Sequence, residues 1–316
     1  MKDVFVSVRG RILLNVEALN MTESVGNYVK HRKVPVLIPE GNGFATYFVP
    51  AISGESVSHG FQKTLAEEAQ KNSIPVCKLC SKGIFLKSTN KKVIKEALGE
   101  PSNSDIEEFV VKNCLVEDVG GFMYAEEENV KRTSNFFIGY MIPAREAIEH
   151  VVVDPQLHSR YALGTPFVTE QGQMIYYVEL SSALYTFSMD LDTKYIGRLT
   201  FKYENVGKDL FKEDERLNRV ETVFDALKTF LLEQPFGAKK TRFLPLGEWD
   251  SIVISISDKT WTASSPFTGK YIENTIKKKE KINYGTEIYV GKREEGNVED
   301  TIINSMDRAK QRIRSK

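Results

Sequence analysis

The sequence predicts an α+β fold, and three observations carry that prediction. Apolar residues alternate with period two over residues 4–14, 175–191 and 252–256, the pattern of half-buried strands. They recur every three or four residues over 54–70 and 216–232, the pattern of amphipathic helices. No internal repeat or low-complexity linker separates these segments, so one elaborated domain is favoured over two.

Taken in order, Val4, Val6 and Val8 alternate against Phe5 and Ser7, and the run passes Gly10 into Ile12 and Leu14. A glycine inside such a run marks a bulge or bend. Residues 15–32 then read as a polar loop that stores hardly any core. Val34–Ile38 and Phe44–Val49 flank Glu-Gly-Asn-Gly, a hairpin signal. Helix one buries Val57, Phe61, Leu65 and Ala69, spaced by four. From Ser73 to about Gln171 the pattern is irregular. It holds a helix near Asn90–Leu98, an acidic helix start at Ser104–Glu108, the pair Gly120-Gly121, and a strand-like run, Phe136 to Ile142, ended by Pro143. In the long strand that follows, Tyr185, Phe187, Met189 and Leu191 share a face. Helix two carries Leu217, Val220, Phe224, Leu227 and Leu231 and stops at Pro235. Ile252, Ile254 and Ile256 alternate with serines and Val253, and beyond Asp258 a lysine-rich tail ends in a weakly amphipathic helix with Val298, Ile302, Met306 and Ile313.

Without the insertions the order is strand, helix, strand pair, helix, strand, the βαββαβ plan of ferredoxin-like and RNA-recognition-motif domains. The core spans about 1–16, 50–72 and 172–257, the inserted lobes about 17–49 and 73–171, and a polar C-terminal lobe 258–316.

Composition excludes some functions. No apolar run approaches the roughly 20 residues of a membrane helix, and the N-terminus alternates like a strand instead of carrying a signal peptide's apolar block. A cytoplasmic protein without a membrane role is expected. Three cysteines fit a reducing compartment better than a disulfide framework. A formal net charge of zero argues against coating nucleic acid by bulk electrostatics, though a local basic groove suffices. Compact basic spots stand at Lys30 to Lys33, Lys131-Arg132, Lys239-Lys240 with Arg242, and Lys277 to Lys281; each is by default a solvated face.

The densest set of donors is Asn15–Arg32. Asn20, Asn27, Lys30, His31 and Arg32 offer amide, imidazole and cationic groups that suit sugar-phosphate backbone, although asparagine and glycine also dominate ordinary turns. On helix one, Glu55, His59 and Gln62 project opposite Val57 and Phe61. Ser53 stands where a helix N-terminus either attracts phosphate or is capped. Arg132, Thr133 and Ser134 resemble phosphate donors at a strand entrance. The glycines of the 118–125 segment allow close backbone approach, to a ligand or to an adjacent strand. Phe122, Met123 and Tyr124 beside them read first as core. Cys77 and Cys80 form a Cys-x-x-Cys, but zinc wants four ligands and only Cys114 remains. Neither a Walker A loop nor a zinc-deaminase signature occurs. No metal, cofactor or catalytic residue is expected.

Six blocks carry a resemblance: NVEALN-x-x-ESVGNYVKHR at 15–32, VPAISGES-x-x-HGFQ at 49–62, DVGGFMYA at 118–125, RTSNFFIGYMIPA at 132–144, ALYTFSMDLD at 183–192 and KKTRFLP at 239–245. In this order they resemble the DevR-family backbone subunits of type I CRISPR Cascade complexes, most closely the archaeal subtype I-A. The chain departs from the family where Lys131-Arg132 replaces a pair of arginines and where Asn135 replaces another.

The resemblance implies a modified RNA-recognition-motif core with inserted lobes, and a non-catalytic scaffold that polymerises head to tail along CRISPR guide RNA. Its implied partners are guide RNA, other copies of itself, other Cascade subunits and target DNA. Asn20, Asn27, Lys30, His31 and Arg32 would line the RNA groove, with Ser53, His59 and Gln62 on the RNA backbone. Arg132, Thr133, His158, Arg160, Lys239, Lys240 and Arg242 would contribute from the insertion and from the turn after helix two. Two other readings stay open. One is an endoribonuclease on the same fold, with Glu17, Glu23 or His31 in the loop after strand one, as in related type III subunits. The other is a regulatory protein that does not involve RNA.

Overall fold

The computed structural model describes residues 1–101, 105–126, 129–161 and 173–315, with the side chains of residues 160, 161, 173 and 174 outside that description. Ser104 of the expected acidic helix start and the side chain of Arg160 therefore lie outside the described residues.

The chain begins with strand β1 (Phe5–Glu17), which is central. Hairpin strands β2 (Met21–Val25) and β3 (Tyr28–His31) follow, then a separate hairpin of β4 (Lys33–Glu40) and β5 (Gly43–Pro50). Helix α1 (Gly54–Lys71) leads into α2 (Lys91–Leu98), α3 (Ile106–Asn113) and α4 (Leu115–Gly120). A small hairpin, β6 (Phe122–Ala125) and β7 (Asn129–Arg132), precedes β8 (Phe136–Ile138), β9 (Val152–Tyr161) and the long β10 (Gln173–Asp192). Helix α5 (Glu213–Glu233), strand β11 (Leu246–Ser257), helix α6 (Tyr271–Lys279), strand β12 (Thr286–Lys292) and helix α7 (Val298–Arg314) complete it.

The main sheet runs β12-β11-β1-β10-β3-β2, with β8 and β9 also paired to β10. It is mixed: β3 runs parallel to β10 through Tyr177↔Tyr28, whereas β1, β8 and β9 pair with β10 antiparallel. Val8 lies opposite Met189 on one side and Ile254 on the other, so the period-two residues of three strands form one apolar face. The stripes of α1 and α5 cover it, with Val57, Phe61, Leu65, Val220, Phe224 and Leu227 buried in the same core. Phe61 meets Phe136 and Phe230 edge-on, with centroids 4.9 and 5.6 Å away. Truncating it to alanine would cost about 3–5 kcal/mol. A second core, Val253, Trp261, Ala263 and Tyr271, takes up the opposite parity of β11.

Gly10 has a steric reason. A Cβ there would lie 2.6 Å from the Trp249 ring and 2.9 Å from Ser251 O, and the register with β11 slips directly after it, between Arg11 and Ile12. The C-terminal segment adds β12 to the sheet edge. Helix α7 buries Val298, Ile302, Met306 and Ile313 in the main core.

Residues 15–32 are a correction. They are not a coreless loop: β1 continues to Glu17, β2 and β3 form a hairpin, and Glu17, Ala18, Leu19 and His31 are buried. The polar residues that read as turn formers occupy the exposed face of that hairpin, while the remainder anchors it to the core.

Candidate nucleic-acid interface

The hairpin's anchor is a buried polar cluster. Both Glu17 and His31 have fully buried side chains, and His31 Nε2 lies 2.6 Å from Glu17 Oε1. Tyr185 Oη donates to the same oxygen at 2.7 Å, and the Leu19 N–H donates to Glu17 Oε2 at 2.7 Å. His31 Nδ1 sits 2.9 Å from Arg32 O. With an acceptor at each ring nitrogen, the protonated imidazole satisfies both. Burial works against that charge, but the Glu17 hydrogen bond and charge outweigh it and raise the His31 pKa. His31 therefore faces inward and holds the hairpin; it does not present its ring to a ligand.

Arg132 is likewise corrected. Its guanidinium is wholly buried, donating to Asp118 Oδ1 at 2.6 Å, Glu107 Oε1 at 2.7 Å, and the carbonyls of Asp118, Tyr195 and Arg198 at 3.0, 2.8 and 2.8 Å. Arg219 pairs with the same Asp118 at 3.1 Å. Strand β7 alternates exposed and buried, so Arg132 shares the inward parity of Val130 while Thr133 is exposed. Gly121, at φ +70°, brings the chain against this segment: a Cβ there would meet Arg132 O at 2.5 Å. The glycine pair thus permits close approach to neighbouring protein.

Of the remaining candidates, His59 and Gln62 line one cleft and Asn27 and Arg242 another. The first, of about 780 Å³, opens beside the start of α1 and is lined by Glu55, His59, Gln62, Phe85, Lys87 and Tyr140 among others. Ser53 caps α1 by accepting from the Ser56 N–H at 3.3 Å. Asn20 Oδ1 accepts from the Ser53 N–H and from Arg32 Nε, each at 2.9 Å. These three residues therefore brace the helix start, and Arg32 Nη1 and Nη2 have no partner among the described residues. The exposed His59 ring lies 5.0 Å from Phe85, with Nε2 3.1 Å from Gly83 O. Lys87 keeps its stem at the surface and draws its ammonium inward to Gly120 O at 3.2 Å; that burial lowers its pKa. Gln62 is fully buried, yet neither its amide oxygen nor its amide nitrogen has a hydrogen-bond partner. An orphaned donor and acceptor at a cleft wall are complementary to a polar ligand. Glu55 competes for the helix N-terminus, so the cleft suits hydroxyl and amide groups better than a bare phosphate.

The second cleft, of about 710 Å³, is lined by Gly26, Asn27, Val29, Ser159, Ile175, Tyr176 and Arg242. It lies where the β2–β3 turn, the β9–β10 hairpin and the segment before β11 converge. Asn27 Nδ2 donates to Ile175 O at 2.9 Å, fixing the turn to β10. His158 stacks on Tyr176 at 5.3 Å with 25° between the planes, and meets Phe243 edge-on at 5.3 Å. Its Nε2 is buried without a partner. Tyr28 stacks on Tyr177 at 5.8 Å. Of these rings, Tyr176 lines the cleft together with the exposed Arg242, whereas the Tyr28–Tyr177 stack faces the other side of β10, because successive strand residues alternate. Sequence reasoning did not single out Tyr176; the tyrosine-rich run in β10 was the available signal.

Lys239 and Lys240 split from Arg242. Lys239 adopts φ 55° in a tight turn. Lys240 Nζ turns in to Gln234 O at 2.6 Å and over the Phe236 ring, and burial lowers its pKa. Only Arg242 of the three lines the cleft. Lys30 pairs with Glu23 at 3.1 Å on the exposed hairpin face. Away from both clefts, the thiols of Cys77, Cys80 and Cys114 converge in the core, the one group with metal-holding geometry among the described residues. No helix among them is long and apolar enough to cross a membrane.

The fold is shared with a chain from a CRISPR RNA-guided surveillance complex, which matches with a TM-score of 0.51 over 96% of this chain and 99% of its own at 10% identity. Within that architecture, the family described as CRISPR-associated negative auto-regulator DevR/Csa2 matches residues 8–276, and the chain belongs to it. Two relatives from Saccharolobus solfataricus agree. The Cas7/Csa2 1 protein is 36% identical over 86% of this chain and 85% of its own. The aCascade subunit Cas7/Csa2 2 is 38% identical over 84% of each. A Methanocaldococcus jannaschii protein named Cas7/Cst2/DevR is 26% identical over 90% of this chain and 92% of its own.

Proposed function

We propose that this chain is a guide-RNA-binding backbone subunit of an antiviral Cascade-type surveillance complex. It polymerises along guide RNA and presents it for pairing with target DNA. The observation that carries the reading is the pair of clefts, one walled by the unpartnered Gln62 amide and the other lined by Asn27, Tyr176 and Arg242, on a chain of the DevR/Csa2 family. Both clefts offer hydrogen bonds and stacking surfaces with no base-specific frame, which suits a subunit that accepts any guide and leaves sequence to base pairing.

In this reading β1, α1, β8, β10, α5 and β11 form a βαββαβ core related to RNA-recognition motifs, within one elaborated domain, and the rest is inserted or appended. The β4–β5 hairpin exposes Leu37, Phe44 and Phe48, an apolar patch for the next copy or another subunit. Balanced net charge lets acidic and basic faces of successive copies meet. A non-catalytic role accords with Glu17 and His31 pairing with each other in the core and Glu23 pairing with Lys30 on the exposed hairpin face.

The test uses nucleic-acid-free protein and two unrelated guide-length RNAs. Comparable affinity for both, with several copies per RNA by native mass spectrometry, is expected. Failure to bind either would favour the regulatory reading, and metal-dependent cleavage of a guide-matched RNA would favour the nuclease.

A further inference from the structure

We propose that Cys77, Cys80, Cys114 and Glu117 bind one zinc ion that staples the segment after α1 to the α3–α4 junction. The Cys-x-x-Cys lies on the turn that leaves α1. Cys114 precedes α4, and Glu117 follows it at i+3, so both project from one side of the short helix. The three Sγ atoms lie within 4.8 Å of one another, and Cys80 Sγ lies 2.9 Å from Glu117 Oε1. Zinc–thiolate bonds of about 2.3 Å in a tetrahedron place sulfurs about 3.8 Å apart, within reach of small χ1 changes.

Two further observations point to an ion. Glu117 is fully buried, and while Oε1 accepts from the Leu86 N–H at 2.8 Å, Oε2 has no partner. Oε1 of that carboxylate lies 2.9 Å from Cys80 Sγ, and an unpartnered oxygen on the same group in an apolar core is one that a bound cation would satisfy. The Cys80 N–H also points at Cys77 Sγ, 3.3 Å away, a donor that stabilises the thiolate a metal requires. On binding, each ligating thiol gives up its proton to solvent, and Lys87 adds positive charge beside Glu117.

The staple has a consequence for the first cleft. Gly83, Phe85 and Lys87, on its wall, follow the Cys77–Cys80 turn within a few residues, so the ion would fix their approach to His59. This inference does not depend on RNA binding, and its readout is separate from it.

The full-length chain, purified anaerobically under reducing conditions and stripped with chelator, would be titrated with Co²⁺ and then Zn²⁺. One equivalent of cobalt should give the visible bands of a tetrahedral site and a thiolate-to-metal charge-transfer band, both abolished by zinc. Cys114→Ser should lose about one third of the charge-transfer intensity, as one of three thiolates goes. Glu117→Gln should keep that intensity while binding at least ~10-fold more weakly. If Cys114→Ser does not fold, zinc protection of the wild-type thiols from alkylation gives the same answer. The proposal is overturned if folded wild-type protein with three free thiols shows no cobalt–thiolate band. It is equally overturned if the isolated protein carries a Cys77–Cys80 disulfide, or if Cys77→Ser/Cys80→Ser retains the metal.

Discussion

Arg132→Met separates a structural arginine from an RNA-contacting one. The guanidinium makes six hydrogen bonds, two to the carboxylates of Asp118 and Glu107, three to backbone carbonyls and a long one to the Thr200 hydroxyl, and its side chain has no exposure. Removing it strands the Arg198 carbonyl, while the Asp118 carbonyl keeps the Asn135 amide and the Tyr195 carbonyl keeps the Arg198 N–H. The carboxylates fare better, because Asp118 keeps Arg219 and the Gly197 N–H, while Glu107 keeps Thr200 and the Phe201 N–H. Breaking one arm of a buried ion-pair network costs about 3–5 kcal/mol. Unfolding entropy of about 2 cal/mol/K per residue over 316 residues gives about 0.7 kcal/mol/K. The melting temperature should therefore fall by about 4–7 °C. Arg132→Lys keeps the charge but cannot reach all six acceptors, and should fall between. Circular dichroism melts give the shift, and filter binding well below both transitions gives the affinity for guide RNA, which should change by less than about twofold. An unchanged melting temperature together with lost RNA binding would refute the burial argument and restore Arg132 as a phosphate contact.

Removing the aromatic ring that lines the second cleft with Tyr176→Ala should weaken guide-RNA binding by about 1–3 kcal/mol, similarly for unrelated sequences; a loss confined to one sequence would contradict a stacking role. Arg242→Ala should lower the slope of log affinity against log salt by about one, and an unaltered slope would remove Arg242 from the phosphate contacts. Gln62→Leu should leave urea stability unchanged or raised, because an orphaned buried amide is replaced by an apolar group of similar shape. The same variant should bind RNA less tightly, and a marked loss of stability would mean that Gln62 is satisfied within the protein. His31 contributes through a raised pKa. Its stabilisation is complete below the ordinary value of about 6.5 and drains away as pH climbs through the higher folded value. The stability gap between wild type and His31→Gln should accordingly shrink as pH rises above the ordinary histidine value, and a gap independent of pH would show that His31 is neutral.

The elements that periodicity could see were legible. Helix one was expected over 54–70 and spans Gly54–Lys71, and the shared face of Tyr185, Phe187, Met189 and Leu191 is buried as a unit. Of the candidate residues, Asn27 and Arg242, remote in sequence, line one cleft together. His31 and Arg132 read as surface donors because residue type says nothing about side-chain direction. In strands as short as β3 and β7, too few apolar residues reveal the parity.

The sequence by itself determined the α+β pattern, the two covering helices and, through ordered motifs, the family. Those features are local, or repeat at the period of their own secondary structure. Only the tertiary structure decided which polar groups face inward. Glu17 meets His31 across a hairpin, Arg132 meets Asp118 and Glu107 from separate helices, and Cys114 joins a Cys-x-x-Cys more than thirty residues away. Each pairing is fixed by chain reversal and packing, and so leaves no periodic trace along the chain.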